Sequence, residues 1–260
     1  MNHRPRKRFG QNFLHDEHVI RKIIDSIQIR PEDHIVEIGP GQGALTRHLV
    51  NQGKRLDLIE LDRDLVVRLS SEMGSHDHLH LHQADILKFD LGDIAEPGFP
   101  LRVVGNLPYN ISTPVIFRLL KYQSMIRDMV FMLQLEVVNR MAAEPGNRTY
   151  GRLGLMVQYY CRVEHLFDVP ANAFTPRPKV VSAIVRLTPH TTPPVEARDV
   201  GCLQNVIRTA FTQRRKTLKN SLKTLISEDA WTNIPVDNSQ RPENISLADY
   251  VRISDSLSAD

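Results

Sequence analysis

The stretch His34-Ile35-Val36-Glu37-Ile38, running straight into Gly39-Pro40-Gly41-Gln42-Gly43, limits what this chain can fold into more than any other. The first five residues read as a buried strand, and a helix through Leu45, Leu49 and Val50 follows the glycines. Glycines let a ligand approach the backbone closely, and the start of the next helix offers free N–H groups. Strand, glycine loop and helix together form a nucleotide-binding turn of an α/β fold, in which ligands sit at the strand ends. The pattern then continues. Leu56-Asp57-Leu58-Ile59 ends at Glu60 with Asp62 two residues on, a short strand near Leu79 to His82 leads to Asp85, and Leu101-Arg102-Val103-Val104-Gly105 leads to Asn106. Met129 to Leu133 adds a further strand, and strands are predicted near Arg162 to Phe167 and Val180 to Leu187.

The glycine spacing bears on the ligand. A dinucleotide fold uses G-x-G-x-x-G to seat a pyrophosphate, whereas here the spacing is G-x-G-x-G with a proline inside and Glu37 before it. That favours a nucleoside without phosphate, with Glu60 placed to bind both hydroxyls of a ribose. S-adenosylmethionine fits: a ribose, an adenine and an amino-acid tail.

Asn106-Leu107-Pro108-Tyr109 carries the chemistry. An amino group whose lone pair is delocalised into a purine is a poor nucleophile. The Asn106 oxygen, with the carbonyl preceding or belonging to Pro108, can accept hydrogen bonds from both N–H groups of a planar NH2 and hold it towards an electrophile. Tyr109 offers a face for a flat ring, and Phe174, heading the stiff loop Thr175-Pro176-Arg177-Pro178-Lys179, could supply the second. The structural alternatives are a turn at Asn106 and core packing at Phe174.

Before the sheet, Ile20, Ile23, Ile24 and Ile27 make one apolar helix face, with Asp16 as N-cap and Pro31 beyond the end. The proline-rich Thr188 to Pro194 marks a boundary, giving a domain over 1–189 and a small helical domain over 190–260. Net charge is only +3, but it is clustered: Arg4, Arg6, Lys7 and Arg8 open the chain, and Arg214, Arg215, Lys216 and Lys219, on a predicted basic helix, lie in a stretch without acid. Two such clusters in an otherwise balanced chain point to nucleic acid. The two cysteines, Cys161 and Cys202, form no C-x-x-C, so a disulfide framework and a thiolate metal site are both unsupported. His78, His80 and His82 would share a strand face, yet no Cys, Asp or Glu completes a zinc set, and no metal is expected. Polar residues interrupt any signal-peptide core, and no run of about 18 apolar residues occurs, so a soluble cytoplasmic protein is expected, with no membrane partner.

With these residues assembled, the chain resembles the small-subunit (16S) ribosomal RNA adenine dimethyltransferases, the family known through kasugamycin resistance when it is lost. The resemblance covers essentially the whole chain. It rests on Arg8-Phe9-Gly10-Gln11-Asn12-Phe13-Leu14, Val36 to Gly41, Glu60-Leu61-Asp62, Gly105 to Ser112, Phe174 to Val180 and Phe211 to Leu218. It implies a Rossmann-like class I S-adenosylmethionine-dependent methyltransferase sheet with a small C-terminal helical domain. It also implies N6,N6-dimethylation of two adjacent adenosines in the terminal hairpin of the small-subunit RNA, in the immature 30S subunit, by a monomer. By the same resemblance, Gln11, Asn12 and Leu14 close over the donor, Gly39 and Gly41 line its loop, Glu60 takes the ribose and Asp85 the adenine. Asn106 stands between donor and target; with Leu107 and Pro108 it forms the catalytic turn, and Tyr109 and Phe174 sandwich the flipped base. Arg6, Lys7, Arg8, Arg214, Arg215, Lys216 and Lys219 would meet RNA. The core motifs also resemble the erythromycin-resistance methyltransferases of large-subunit RNA; Gln213-Arg214-Arg215-Lys216 favours the small-subunit branch. Glutamine or DNA adenine methylation, a nicotinamide dehydrogenase and a noncatalytic assembly checkpoint are the remaining readings.

Overall fold

Residues 12–74 and 76–258 are described by a computed structural model. Strand β1 (Phe13–Leu14) precedes helix α1 (Glu17–Ile27), whose first turn is closed by the Asp16 carboxylate accepting from the His18 and Val19 N–H groups. The four isoleucines of the predicted apolar face are buried against the sheet. Strand β2 (His34–Ile38) is buried throughout, and after the glycine loop only one helical turn forms, α2 (Thr46–Leu49), shorter than the predicted helix. Gly39, Gly41 and Gly43 all have positive φ, which keeps the chain in turns until Leu45.

Next come β3 (Arg55–Glu60), α3 (Arg63–Met73), β4 (Leu79–Gln83), β5 (Leu101–Asn106), α4 (Ser112–Leu119) and β6 (Ile126–Gln134). After α5 (Leu135–Met141) and α6 (Arg152–Tyr160) the chain returns to the sheet as β7 (Cys161–Val169) and β9 (Ser182–Pro189); between them β8 (Phe174–Thr175) pairs with β1 in a separate two-stranded ribbon. The seven-stranded sheet runs β4-β3-β2-β5-β6-β9-β7, parallel from β4 to β6, with β9 antiparallel to β6. Because β2 pairs with β3 on one side and β5 on the other, the chain order reverses there, which opens a crevice at the strand ends. Gly105 is required at this point: a Cβ on it would lie 2.5 Å from the Ile38 carbonyl oxygen.

At the opposite end of β5, Arg102 is buried with its guanidinium on Asp128 (2.8 and 2.7 Å) and Asp33 (2.7 Å), and it also donates to the Gln28 and Ile27 carbonyls. Burial opposes the charge, but the two carboxylates outweigh it and raise the Arg102 pKa. This pins the C-terminus of α1 to β5 and β6.

The described residues form two compact units. One contains the chain up to Val138 together with Arg162–Pro189; the other contains Asn139–Cys161 with the residues from His190 on. The predicted split at 189/190 therefore differs for 139–161, which belong to the same compact unit as the C-terminal helices. The contacts are specific: the Tyr150 phenol donates to Ile245 O at 3.0 Å, and Gly146 N–H donates to Glu243 O at 2.8 Å. In that second unit, α7 (Val200–Ala210), α8 (Leu218–Ser221) and α9 (Leu247–Leu257) follow, α9 opened by the predicted Ser246 cap and Asp249.

Candidate active site and RNA-binding residues

A cavity of about 290 Å³ lies in the crevice of the first unit, lined by the ends of β2, β3 and β5, the segment after β4, and Asn12, Phe13 and Leu14. One of its walls is made mainly of backbone and acids. Gly39 N–H donates to Ile59 O at 2.9 Å, and Gly41 N–H to the Glu60 carboxylate at 3.1 Å; the other Glu60 oxygen accepts from Asp62 N–H at 2.8 Å. Gly39 and Gly41 occupy left-handed conformations, and a Cβ on Gly41 would meet the Phe13 ring at 3.4 Å. Asp85 lines the same wall, its Oδ1 accepting from Leu87 N–H at 2.9 Å.

Glu37, used in the sequence only as a motif marker, also lines this wall and is 2% exposed. Burial pushes its carboxyl up to about 7, Glu60 nearby adds to the shift, and the Thr46 hydroxyl, donating at 2.7 Å, works against it. Burial also raises Glu60. No basic side chain among the described residues pairs with either acid. Such a wall suits a ligand carrying positive charge and no phosphate. The sequence signal was an acid inside an otherwise apolar strand.

The facing wall is Asn106-Leu107-Pro108-Tyr109. The Asn106 amide nitrogen donates to Asn12 O at 3.1 Å, which turns the amide oxygen the other way. Pro108 O accepts from Ile111 N–H at 3.1 Å, while among the described residues no hydrogen bond uses the Leu107 carbonyl. Of the two carbonyls the sequence offered, Leu107 O is the one without a hydrogen-bond partner among the described residues. Tyr109 lines the cavity with its phenol oxygen 2.7 Å from Ser182 Oγ.

Phe174 is placed differently from the sequence expectation. It is 3% exposed, sits in the core with Leu14, Val169 and Ala173, and does not line the cavity. The reason is strand pairing: β8 runs antiparallel to β1, with Leu14 opposite Phe174 and Phe13 opposite Thr175. The two motifs are partners in a ribbon, and the phenylalanine faces inward.

Two histidines of the predicted face, His78 and His82, have hydrogen-bond partners. His78 Nε2 donates to Val50 O and His82 Nε2 to Asp57, each at 2.6 Å, and His34 meets the other Asp57 oxygen. Burial opposes ionisation of Asp57, but these bonds and Arg55 overcome it and lower its pKa.

In the second unit Arg214, Arg215 and Lys216 lie on a turn between α7 and α8, not on the predicted helix, because Thr217 caps α8 and restarts the chain there. Arg214 donates to the carbonyls of Arg148 (2.8 Å) and Tyr150 (3.1 Å) and to Glu243 (3.1 Å), and Lys219 pairs with Glu228. Arg215 and Lys216 are exposed and have no such partner among the described residues. Arg6, Lys7, Arg8 and Gln11 lie outside the described residues.

The strand order with its inserted antiparallel β9, and an acid-walled cleft at the reversal point, define a class I S-adenosylmethionine-dependent methyltransferase. The structure of a dimethyladenosine transferase from Plasmodium falciparum superposes with a TM-score of 0.77 at 26% identity, over 93% of this chain and 95% of that one. The 23S rRNA methyltransferase ErmE gives 0.72 at 25% identity, over 95% and 100%. The ribosomal RNA adenine dimethylase family matches residues 2–259, and the chain belongs to that family. A relative from Pseudomonas syringae pv. tomato, named ribosomal RNA small subunit methyltransferase A, is 59% identical over 98% of this chain and 96% of its own; one of the same name from Pseudomonas aeruginosa is 56% identical over 98% and 95%. The chain is thus an enzyme that dimethylates ribosomal RNA adenines with S-adenosylmethionine as donor. Among the described residues, no helix is long and apolar enough to cross a membrane.

Proposed function

We propose that the acceptors are two adjacent adenosines in the 3′-terminal hairpin of small-subunit RNA, reached as a monomer on immature 30S subunits in the cytoplasm. The high identity to relatives named for the small subunit, against 25% to ErmE, supports this over the large-subunit alternative. Bound S-adenosylmethionine supplies an electrophilic methyl group on a positively charged sulfur. Glu37 and Glu60 give that charge a complementary wall, Glu60 takes the ribose and Asp85 the adenine, while Asn12, Phe13 and Leu14 cover the site.

The single observation carrying the mechanism is the Asn106 amide. Its nitrogen is committed to Asn12 O, so its oxygen is the acceptor available to N6–H of a flipped adenine, and Leu107 O is the second. Two acceptors hold the NH2 and stabilise the positive charge that develops on N6. Asn106 is not a strong base, and the proton leaves to water after transfer. Tyr109 provides the stacking face. Arg215 and Lys216 meet RNA phosphates, as do the N-terminal cations Arg6, Lys7 and Arg8, whereas Arg214 and Lys219 hold the fold. The test is methyl transfer from labelled donor to small subunits lacking the modification, followed by nucleoside analysis. Absence of N6,N6-dimethyladenosine in the small-subunit RNA would remove the assignment.

A further inference from the structure

Tyr109 is held at both ends. Its carbonyl accepts from Ser112 Oγ at 3.2 Å, and its phenol oxygen lies 2.7 Å from Ser182 Oγ. Ser182 is the first residue of β9, is 0% exposed, and pairs in register with Gln134 of β6. Because β6 is paired with β5, the strand that ends at Asn106, the hydroxyl is mounted on the same sheet as the catalytic amide. A buried serine hydroxyl needs a partner, and this one finds it in the single cavity-lining tyrosine.

We propose that Ser182 is a positioning residue for the target base: its hydroxyl anchors the far end of the Tyr109 ring and fixes the direction of the ring axis, and so the tilt at which a stacked adenine presents N6 to Asn106. This rests on the reading of Tyr109 as the stacking face. Geometry makes the contact matter, since a tilt of roughly 15° moves an atom about 4 Å from the pivot by about 1 Å, a misplacement that can cost about a hundredfold in rate. The second methylation depends on it more than the first. An NH2 group offers two equivalent N–H groups, whereas the monomethylated nitrogen offers one, so only one of its two orientations is productive. A ring free to tilt admits the other.

The experiment uses the full chain, small subunits lacking the modification, and single-turnover transfer at saturating donor, with mono- and dimethyladenosine separated. Ser182→Ala and Tyr109→Phe should each lower the rate by roughly tenfold, the loss of one hydrogen bond, and both should accumulate monomethyladenosine. Donor affinity by calorimetry should not change, and the double variant should be no slower than the slower single one. Independent, multiplying effects in the double variant overturn the proposal. So do wild-type rates and product ratios in both single variants while Tyr109→Ala is slow; a wild-type rate in Tyr109→Ala instead removes the stacking reading itself. If Ser182→Ala does not fold, Tyr109→Phe decides, since it removes only the phenol oxygen.

Discussion

The two walls of the cleft are built by different means. On the donor side, neighbouring parallel strands hold the site through backbone groups: Gly39 N–H on Ile59 O, Gly41 N–H on Glu60, Ala84 N–H on Glu60 O. On the acceptor side, side chains do it across long sequence separations, Asn106 to Asn12 and Tyr109 to Ser182. The first wall is acidic, with burial raising the carboxyls of Glu37 and Glu60; the second carries no charged side chain. The difference matches their tasks. On the proposed reading, one ligand of fixed shape enters the first wall, while the second accepts adenine and then its bulkier monomethylated form.

The sharpest way to break this contrast is Asn106→Ala. It should lower single-turnover methyl transfer by about two to three orders of magnitude, the scale of one preorganised catalytic contact, while RNA affinity survives on phosphate contacts. Asn106→Asp, which keeps an acceptor, should retain more activity than Ala. A normal rate in the Ala variant would place the chemistry elsewhere.

Charge strain in the donor wall is tested by pH. The Glu37 carboxyl sits at about 7 when folded, against an ordinary 4.5, so between those values the folded chain holds a proton the unfolded chain has lost. Stability contributed by that proton is complete below about pH 4.5, falls as pH rises through the window, and is gone above about 7. Glu37→Gln should therefore flatten the stability profile of the ligand-free protein between pH 5 and 8 by up to about 3 kcal/mol, read from denaturant unfolding. Superimposable profiles would mean that Glu37 ionises as an ordinary carboxylate.

Glu60→Ala should raise the dissociation constant for S-adenosylmethionine by roughly 10- to 100-fold, since a carboxylate on two hydroxyls makes charge-assisted bonds. An unchanged constant in calorimetry removes Glu60 from the ribose. The smallest effect is expected in the second unit. Changing Arg215 and Lys216 to Gln should flatten the salt dependence of RNA binding by about 0.9 log units per lost contact in a duplex-like site, with no change in melting temperature. Arg214→Gln should do the reverse, lowering the melting temperature and leaving the salt slope. Equal slopes for all three would make the turn an ordinary solvated surface.

Much of the donor wall was legible because it is local. Glu60, Asp85, Gly39 and Gly41 each follow a strand read from its own apolar run, and parallel pairing brings consecutive strand ends to one edge without further information. Helix caps at Asp16 and Ser246 were readable for the same reason, as a side chain meeting an N–H two or three residues on. What could not be read is where separate pieces meet: the ribbon that turns Phe174 inward against Leu14, the Ser182 hydroxyl under Tyr109, the 139–161 segment gathered with the C-terminal helices.

By itself, then, the sequence determined the order of strands and helices, the glycine loop, the acids at the strand ends and the Asn106 turn. Only the tertiary structure decided which similar residues do different work. Arg214 and Arg215 are neighbours of one charge and both exposed, yet Arg214 is bound to two carbonyls and Glu243 while Arg215 has no such partner among the described residues. Nothing in the chain near 214 encodes that choice, because the partners at 148, 150 and 243 reach it only when distant segments pack together, and the free energy of a hydrogen bond depends on the geometry that packing delivers.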